Sequence, residues 1–394
     1  MTADLSELNF ELDDTTKAIT EAVRDRCAAF DESYWEQCDA KSRFPEEFVA
    51  SMAEGGFLGF TVPEEYGGGG QGHVAAAAML REISASGACL NGCVPVHMTM
   101  FAVEPIVRFG SDEMKQRFLP QICEGKLQLC FAVTEPDTGS DTSRIKTAAK
   151  ATPDGWSVSG QKVWITLAHI ADAAILLART GPAPESDRFG GLSLFLADLD
   201  GEHTTAKPTP KLPHNAAVSC ELFLDDLPVD RDRLIGEEGR GFRHILPGLN
   251  SERVLMAAEM VGIGQAALRR GSDYARERVV FGRAVGANQA ISHPLARASA
   301  MVSSAWLATL EAAWRLDRGL PCGAQANSAK FLAAEAAYAA ADAALQAHGG
   351  MGFGREYHVE RYFREARLCR VAPISQEMTL NFLAQQVLEL PRSY

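Results

Sequence analysis

The spacing of apolar positions changes twice along the chain, and each change predicts a change of structure. From Leu12 to about Gln128 apolar residues recur at helical intervals, interrupted at Pro45, Pro63, Gly67 to Gly70 and Pro95. The stretch 44–70 (FPEEFVASMAEGGFLGFTVPEEYGGGG) reads as a short helix stopped at Gly55-Gly56, an extended segment and a glycine-rich turn. No Gly-Lys-Ser/Thr follows that turn and no strand-turn-helix frame surrounds it, so it reads as a structural turn rather than a phosphate loop.

Between about Leu129 and Ile235 the period shortens to the alternation of half-buried strands. Segments 156–158, 174–178, 192–197 and 220–224 fit short strands, and Asp154-Gly155 is a hairpin signal. No long helix separates them, which favours an antiparallel barrel or sandwich over a parallel sheet. After Gly241 the helical period returns in alanine-rich stretches over 253–277, 294–318 and 322–348. Their lengths of about 25 residues and short breaks predict antiparallel helices in a bundle. The expected domains are therefore 1–128, 129–235 and 236–394.

Composition narrows the function. The chain has 394 residues, 46% hydrophobic and 23% charged, as in ordinary globular proteins. Acidic residues outnumber basic ones 51 to 38, for a formal charge of -13, which offers no footprint for nucleic acid or an anionic membrane. A nucleotide-bearing ligand would have to be met by local donors. The first ten residues, MTADLSELNF, lack the basic start and apolar run of a signal peptide, and no apolar run reaches membrane-spanning length. Nine cysteines are scattered without a Cys-x-x-Cys, indicating neither a metal site nor a disulfide framework. A cytoplasmic location is the expectation.

Four motifs carry chemistry. Residues 131–141 read FAVTEPDTGSD, and 160–166 read GQKVWIT. Further on come 274–289 (YARERVVFGRAVGANQ) and 346–350 (QAHGG) followed by MGFGREYHVERYFREAR. The GGMGFG within the last follows a helix rather than a strand, which makes a dinucleotide fingerprint a poor reading. Taken together and in this order, with FPEEF and PEEYGG near the start, the strings resemble the FAD-dependent acyl-CoA dehydrogenase family over nearly the whole chain.

That resemblance implies an α+β fold: an N-terminal helical domain, a middle antiparallel β domain and a C-terminal four-helix bundle. It also implies FAD contacts at Phe131, Val133, Thr134, Gly139, Ser140, Trp164 and Thr166. Physically, Trp164 can pack beside an isoalloxazine while Thr166 meets its polar edge. Arg278, Phe281, Gln289, Gln346, Gly349 and Gly350 match positions that reach a neighbouring subunit's FAD, so a homo-oligomer, typically a tetramer, is implied. Ser375 and Glu377 match positions near the cofactor. Ser140, Asn250 and Arg253 match positions where relatives touch the acyl-CoA, although Asn250 replaces the usual acid.

Dehydrogenation next to a thioester needs a carboxylate that takes the α proton, and such a base works best when desolvated. Many relatives carry it in a Tyr-Glu-Gly-Thr stretch near the C-terminus. Here that stretch runs Arg370-Val-Ala-Pro-Ile-Ser-Gln376, with Pro373 in place of the Glu. A subgroup resembling isovaleryl-CoA and long-chain dehydrogenases places the base before an Arg on an earlier helix, where this chain has Glu252-Arg253. At helical spacing Glu252 shares a face with Leu249, Met256 and Ile263, an apolar strip. The competing reading is a structural Glu252 held by Arg253 or by a helix N-terminus, and Glu377 is the fallback base.

The implied activity is oxidation of an acyl-CoA, or of a carrier-protein thioester, with electrons passed to an electron-transfer flavoprotein. Two alternatives stand beside it: a flavin monooxygenase or oxidase on the same scaffold, and a catalytically idle acyl-CoA-binding protein suggested by Pro373. The segment 91–101 (NGCVPVHMTMF) is the candidate for part of the acyl pocket.

Overall fold

The computed structural model describes residues 12–392, so the N-terminal decapeptide read above lies outside it. Seven helices come first: α1 (Asp14–Cys27), α2 (Glu32–Ala40), α3 (Glu46–Glu54), α4 (His73–Ile83), α5 (Cys89–Phe101), α6 (Glu104–Phe109) and α7 (Asp112–Cys123). Short polar caps start several of them. Asp13, Asp31 and Ser111 each accept a hydrogen bond from a first-turn amide, satisfying a donor the helix leaves free. α4 and α5 are buried along almost their whole lengths, because the later helices cover them.

Eight strands follow: β1 (Leu129–Ala132), β2 (Ala148–Ala151), β3 (Gly155–Thr166), β4 (Ala173–Arg179), β5 (Leu192–Asp198), β6 (Thr204–Pro208), β7 (Ser219–Asp230) and β8 (Leu234–Ile235). The sheet path is β6-β7-β3-β2-β4-β5-β8, with β1 added beside β4. Most neighbours are antiparallel, and the Asp154-Gly155 signal does mark the β2–β3 hairpin. The β1–β4 ladder and the single β2–β4 bridge are parallel. β3 pairs with β7 through two register shifts, one of which falls between Lys162 and Ile165.

The remaining chain forms α8 (Gly241–Glu277), a small hairpin of β9 (Val279–Val280) and β10 (Arg283–Ala284), then α9 (Gln289–Asp317), α10 (Gly323–His348), α11 (Val359–Leu368) and α12 (Gln376–Gln386). α8, α9 and α10 pack on one another, and α11 and α12 lie against α10. α8 is longer than its apolar period predicts: it begins at Gly241 rather than near Arg253, with Pro247 inside it. Phe242, Ile245 and Gly248 are buried in that extra segment, and tertiary contact outweighs the local helix-breaking signals. At about 55 Å, α8 is the axis of the molecule. Small residues let its neighbours approach closely: a Cβ on Gly271 would meet the Ala344 Cα at 2.9 Å.

Buried ion pairs tie the helical domains together. Glu32 of α2 accepts from Arg361 at 3.2 Å and Arg270 at 3.1 Å, and also from the Tyr362 hydroxyl. Asp39 takes Arg364 at 2.8 Å and the Asn215 amide, from the loop before β7, at 3.0 Å. Among the described residues no helix is long and apolar enough to cross a membrane, and all nine cysteines are buried and free.

Candidate functional site

The FAVTEPDTGSD string starts on β1 and passes into a tight turn. Phe131 packs against Phe101 of α5 with ring centroids 4.6 Å apart, Val133 is buried, and the Thr134 carbonyl accepts from the Val163 amide at 2.9 Å. Glu135 anchors the turn from beneath. Its carboxylate accepts from the Lys146 and Thr147 amides at 2.7 and 2.9 Å and from the fully buried Lys162 ammonium at 3.0 Å. Burial pushes the Glu135 carboxyl up, but Lys162 and these donors outweigh it and leave it below the ordinary carboxylate range. Lys162 also donates to the Val133 carbonyl at 3.0 Å, joining β3 to the signature loop. The loop's tip, with Gly139 and Ser140, is exposed, and a Cβ on Gly139 would meet nothing within 4 Å.

Lys162 points inward and Trp164 points out. Trp164 falls within the register shift between Lys162 and Ile165, has φ of 62°, and its side chain is 59% exposed. A β-bulge re-aims a side chain, and a bulky residue in the left-handed region costs energy that a surrounding site must justify. Thr166, at the strand's end, is half-buried.

Asn250, Ser251, Glu252 and Arg253 lie well inside α8, with Glu252 about three turns past its start, which removes the helix N-terminus as a holder of Glu252. Asn250 Oδ1 accepts from Arg253 Nη1 at 3.0 Å, and the Leu249 carbonyl accepts from the same nitrogen at 3.1 Å. Arg253 Nε is buried and without a partner. Ser251 Oγ lies 2.9 Å from His73 Nε2, whose Nδ1 is 3.1 Å from Asp317 Oδ1. Asp317 also accepts from the His73 and Val74 amides at the start of α4, at 2.5 and 3.1 Å. This Asp–His–Ser line resembles a nucleophile triad, but Ser251 is buried in mid-helix, where the backbone amides are already bonded and cannot form an oxyanion hole. It fixes the turn of α8 that carries Glu252.

Glu252 itself has no hydrogen bond or ion pair among the described residues. Protein atoms crowd it enough that burial pushes its carboxyl up to about 7, against opposing pulls from His97 and Arg253, while part of its surface still reaches solvent. Glu365 is likewise pushed up to about 7 by burial, but it accepts from the Leu90 amide at 2.7 Å and from Asn91 at 2.8 Å. One glutamate is engaged in holding helices; the other is unengaged and open. Glu377 is neither: it sits exposed in the first turn of α12, and its own backbone amide and Ser375 hold it below the usual range. Ser375 caps α12 by accepting from Met378 N at 3.3 Å. The 91–101 segment is α5, packed against α8, and it brings His97 to Glu259. Sequence reasoning missed His73, Asp317, His97 and Glu259; the signal for the last two was a polar residue inside a local apolar run, VPVHM in α5 and VLMAAEMVGIG in α8.

The other predicted cofactor contacts gather at the far end of α8 and α10. Arg278 ends α8, Phe281 tips the β9–β10 hairpin with φ of 52° and is 100% exposed, and Gln289 opens α9 on the surface. Gln346, Gly349 and Gly350 are exposed at the end of α10, and a Cβ on either glycine would meet open space. Tyr274 stacks on His348 at 4.1 Å, which fixes this turn beside the end of α8. Among the described residues no hydrogen bond or ring contact joins this group to Trp164 and the signature loop within the chain. An exposed aromatic ring, open glycine backbone and a free guanidinium suit a large planar, phosphate-bearing cofactor. Among the described residues no cluster of three or more His, Cys, Asp or Glu could hold a metal ion.

Comparison with known proteins gives consistent matches. Residues 13–126, 130–227 and 239–388 match, in turn, the N-terminal, middle and C-terminal domains of acyl-CoA dehydrogenase. The chain is 37% identical to acyl-CoA dehydrogenase fadE12 of Mycobacterium bovis, over 99% of this chain and 100% of that protein. A glutaryl-CoA dehydrogenase complex with glutaryl-CoA superposes with a TM-score of 0.92, at 30% identity and 98% coverage of both chains. The FAD complex of PigA superposes with a TM-score of 0.90, at 26% identity over 96% of this chain and 99% of that one.

Proposed function

Because the chain belongs to the acyl-CoA dehydrogenase family, we propose that it converts an acyl-CoA to the trans-2-enoyl-CoA, with Glu252 taking the α proton. Its class is that of an FAD-dependent oxidoreductase. FAD, when bound, supplies the acceptor for the hydride that leaves Cβ.

The observation that supports Glu252 is its combination of properties: no partner, partial access, and a carboxyl pushed up to about 7 by burial. A base whose pKa lies near the working pH is ionised often enough to act and basic enough to take a weakly acidic proton, and such a group contributes roughly 10²–10⁴-fold. Arg253 turns away from it, so the carboxylate is not neutralised by its neighbour. The free Arg253 Nε and the exposed Ser140 are the proposed donors to the thioester's CoA portion, and Asn250 orients Arg253.

Trp164 and Thr166, with Phe131, Val133, Thr134, Gly139 and Ser140, form the proposed wall for the flavin ring. Arg278, Phe281, Gln289, Gln346, Gly349 and Gly350 form the proposed grip on a second subunit's cofactor, with Ser375 and Glu377 near its ribose. The homo-oligomer, the electron-transfer flavoprotein as acceptor, and the choice of free coenzyme A over a carrier-protein thioester belong to the same proposal.

The test is an anaerobic screen of straight, branched and cyclic acyl-CoAs, and of carrier-protein thioesters, for loss of flavin absorbance. Bleaching by at least one thioester is expected. Tight thioester binding without bleaching by any of them would contradict it, as would a reduced enzyme that forms a stable oxygen adduct.

A further inference from the structure

The Glu252 side of α8 holds a second acid that the reaction above leaves unused. Glu259 lies seven residues on, two turns along the same face, and is fully buried. Its Oε1 is 2.6 Å from Nδ1 of His97, a residue of α5 that is itself 4% exposed, and its Oε2 has no partner. A buried acid usually has its oxygens satisfied. A Glu259 placed only to hold helices together would also be matched more cheaply by apolar residues, since buried ion pairs are weak stabilisers.

His97 has the opposite asymmetry. Burial alone would lower its pKa, but Glu259, and more weakly Glu252, outweigh that and raise it above the ordinary imidazole value, which favours the protonated ring. Nδ1 is committed to Glu259, while Nε2 has no hydrogen-bond partner among the described residues. The ring is fixed by an edge contact with Phe101, whose own ring packs on Phe131 of the signature strand.

The charged groups around this cluster are few. Glu252 is faced by His97 of α5 and by Arg253 and Glu259 of its own helix. Glu259 is faced by His97 and by the buried thiols of Cys93 and Cys369, both pushed far up and therefore uncharged. Lys330 of α10 and Cys322 face Arg253 rather than Glu252. Of the groups that face Glu252, His97 exerts the larger pull toward the ionised form, ahead of Arg253, whose guanidinium is bonded to Leu249 and Asn250.

We propose that the buried His97–Glu259 pair is a positioning device for the base: an imidazolium that Glu259 fixes in place and that stabilises the ionised form of Glu252. The pair contributes its field without touching the reacting atoms. This rests on the reading of Glu252 as the base, but its direct readout does not require turnover.

The Glu252 carboxyl can be titrated in the FAD-loaded protein by infrared difference spectroscopy, native minus Glu252→Gln. The native midpoint is expected near the value of about 7 given above. In His97→Gln the midpoint is expected to rise by roughly one pH unit, because an attractive charge is lost. His97→Gln/Glu259→Gln guards against a fold damaged by a lone buried acid and is expected to remain above the native midpoint. The acidic limb of kcat/KM against pH should move with it. A midpoint unchanged in both variants overturns the proposal. A midpoint that moves while Glu252→Gln turns over at the parental rate leaves the electrostatic proposal standing and removes Glu252 as the base.

Discussion

Arg253 follows Glu252 in the chain yet gives it no hydrogen bond: its Nη1 donates to the Leu249 carbonyl at 3.1 Å and to Asn250 Oδ1 at 3.0 Å. A cation bonded to the carboxylate would have held it ionised and weakly basic. Turned aside, it leaves burial as the dominant influence, and burial pushes Glu252 up to about 7.

That shift has a sign in stability. Below its ordinary value of 4.5 the carboxyl is neutral in folded and unfolded chains alike, and above about 7 it is charged in both, with the folded state bearing the desolvation cost. Glu252→Gln should therefore leave unfolding unchanged near pH 4 and stabilise the protein at pH 8, by on the order of 1–3 kcal/mol. Urea unfolding at the two pH values checks this.

The Lys162–Glu135 pair makes the opposite case, a buried charge that cannot lose its partner. Lys162→Met leaves Glu135 sealed without a cation, and a destabilisation of roughly 3–5 kcal/mol is expected. Weaker FAD retention should accompany it, because Lys162 also holds the Val133 carbonyl of the signature loop. Chemical denaturation and the flavin-to-protein absorbance ratio measure the two effects.

Trp164, turned outward by the bulge, should report on the cofactor. Adding FAD to the apoprotein is expected to quench tryptophan fluorescence, and most of that quenching should disappear in Trp164→Phe. The other tryptophans are less exposed, with Trp35 and Trp306 sealed in the core.

Phe281 stands wholly exposed on a hairpin whose Val279 and Val280 are also open. Exposed apolar residues grouped in this way mark an interface. Phe281→Asp is expected to lower the mass seen by light scattering and to loosen FAD, while the circular dichroism of the helices stays unchanged.

The helical, β, helical order was legible because each period persisted long enough to be read: an apolar stripe in the long helices, alternation in β4 and β5. The start of α8 was not, since Pro247 and Gly248 carry local breaker signals that burial of Phe242 and Ile245 overrides. At the proposed site, the apolar strip and the neighbour Arg253 singled out Glu252 as a candidate base. Its surroundings could not be read in this way. His97 meets Glu259, and His73 meets Ser251 and Asp317, across separations of 162, 178 and 244 residues. No local pattern encodes such contacts. The outward turn of Trp164 depends on a register shift with β7, which is equally nonlocal.

The most direct measurement is the rate of anaerobic flavin bleaching in single turnover, with the best acyl-CoA from the screen, for native protein and Glu252→Gln between pH 5 and pH 9. The native rate is expected to rise through a midpoint close to the Glu252 value of about 7, and the variant to be at least about 10²-fold slower at every pH. A variant that bleaches as fast as its parent would contradict the assignment of Glu252 as the base.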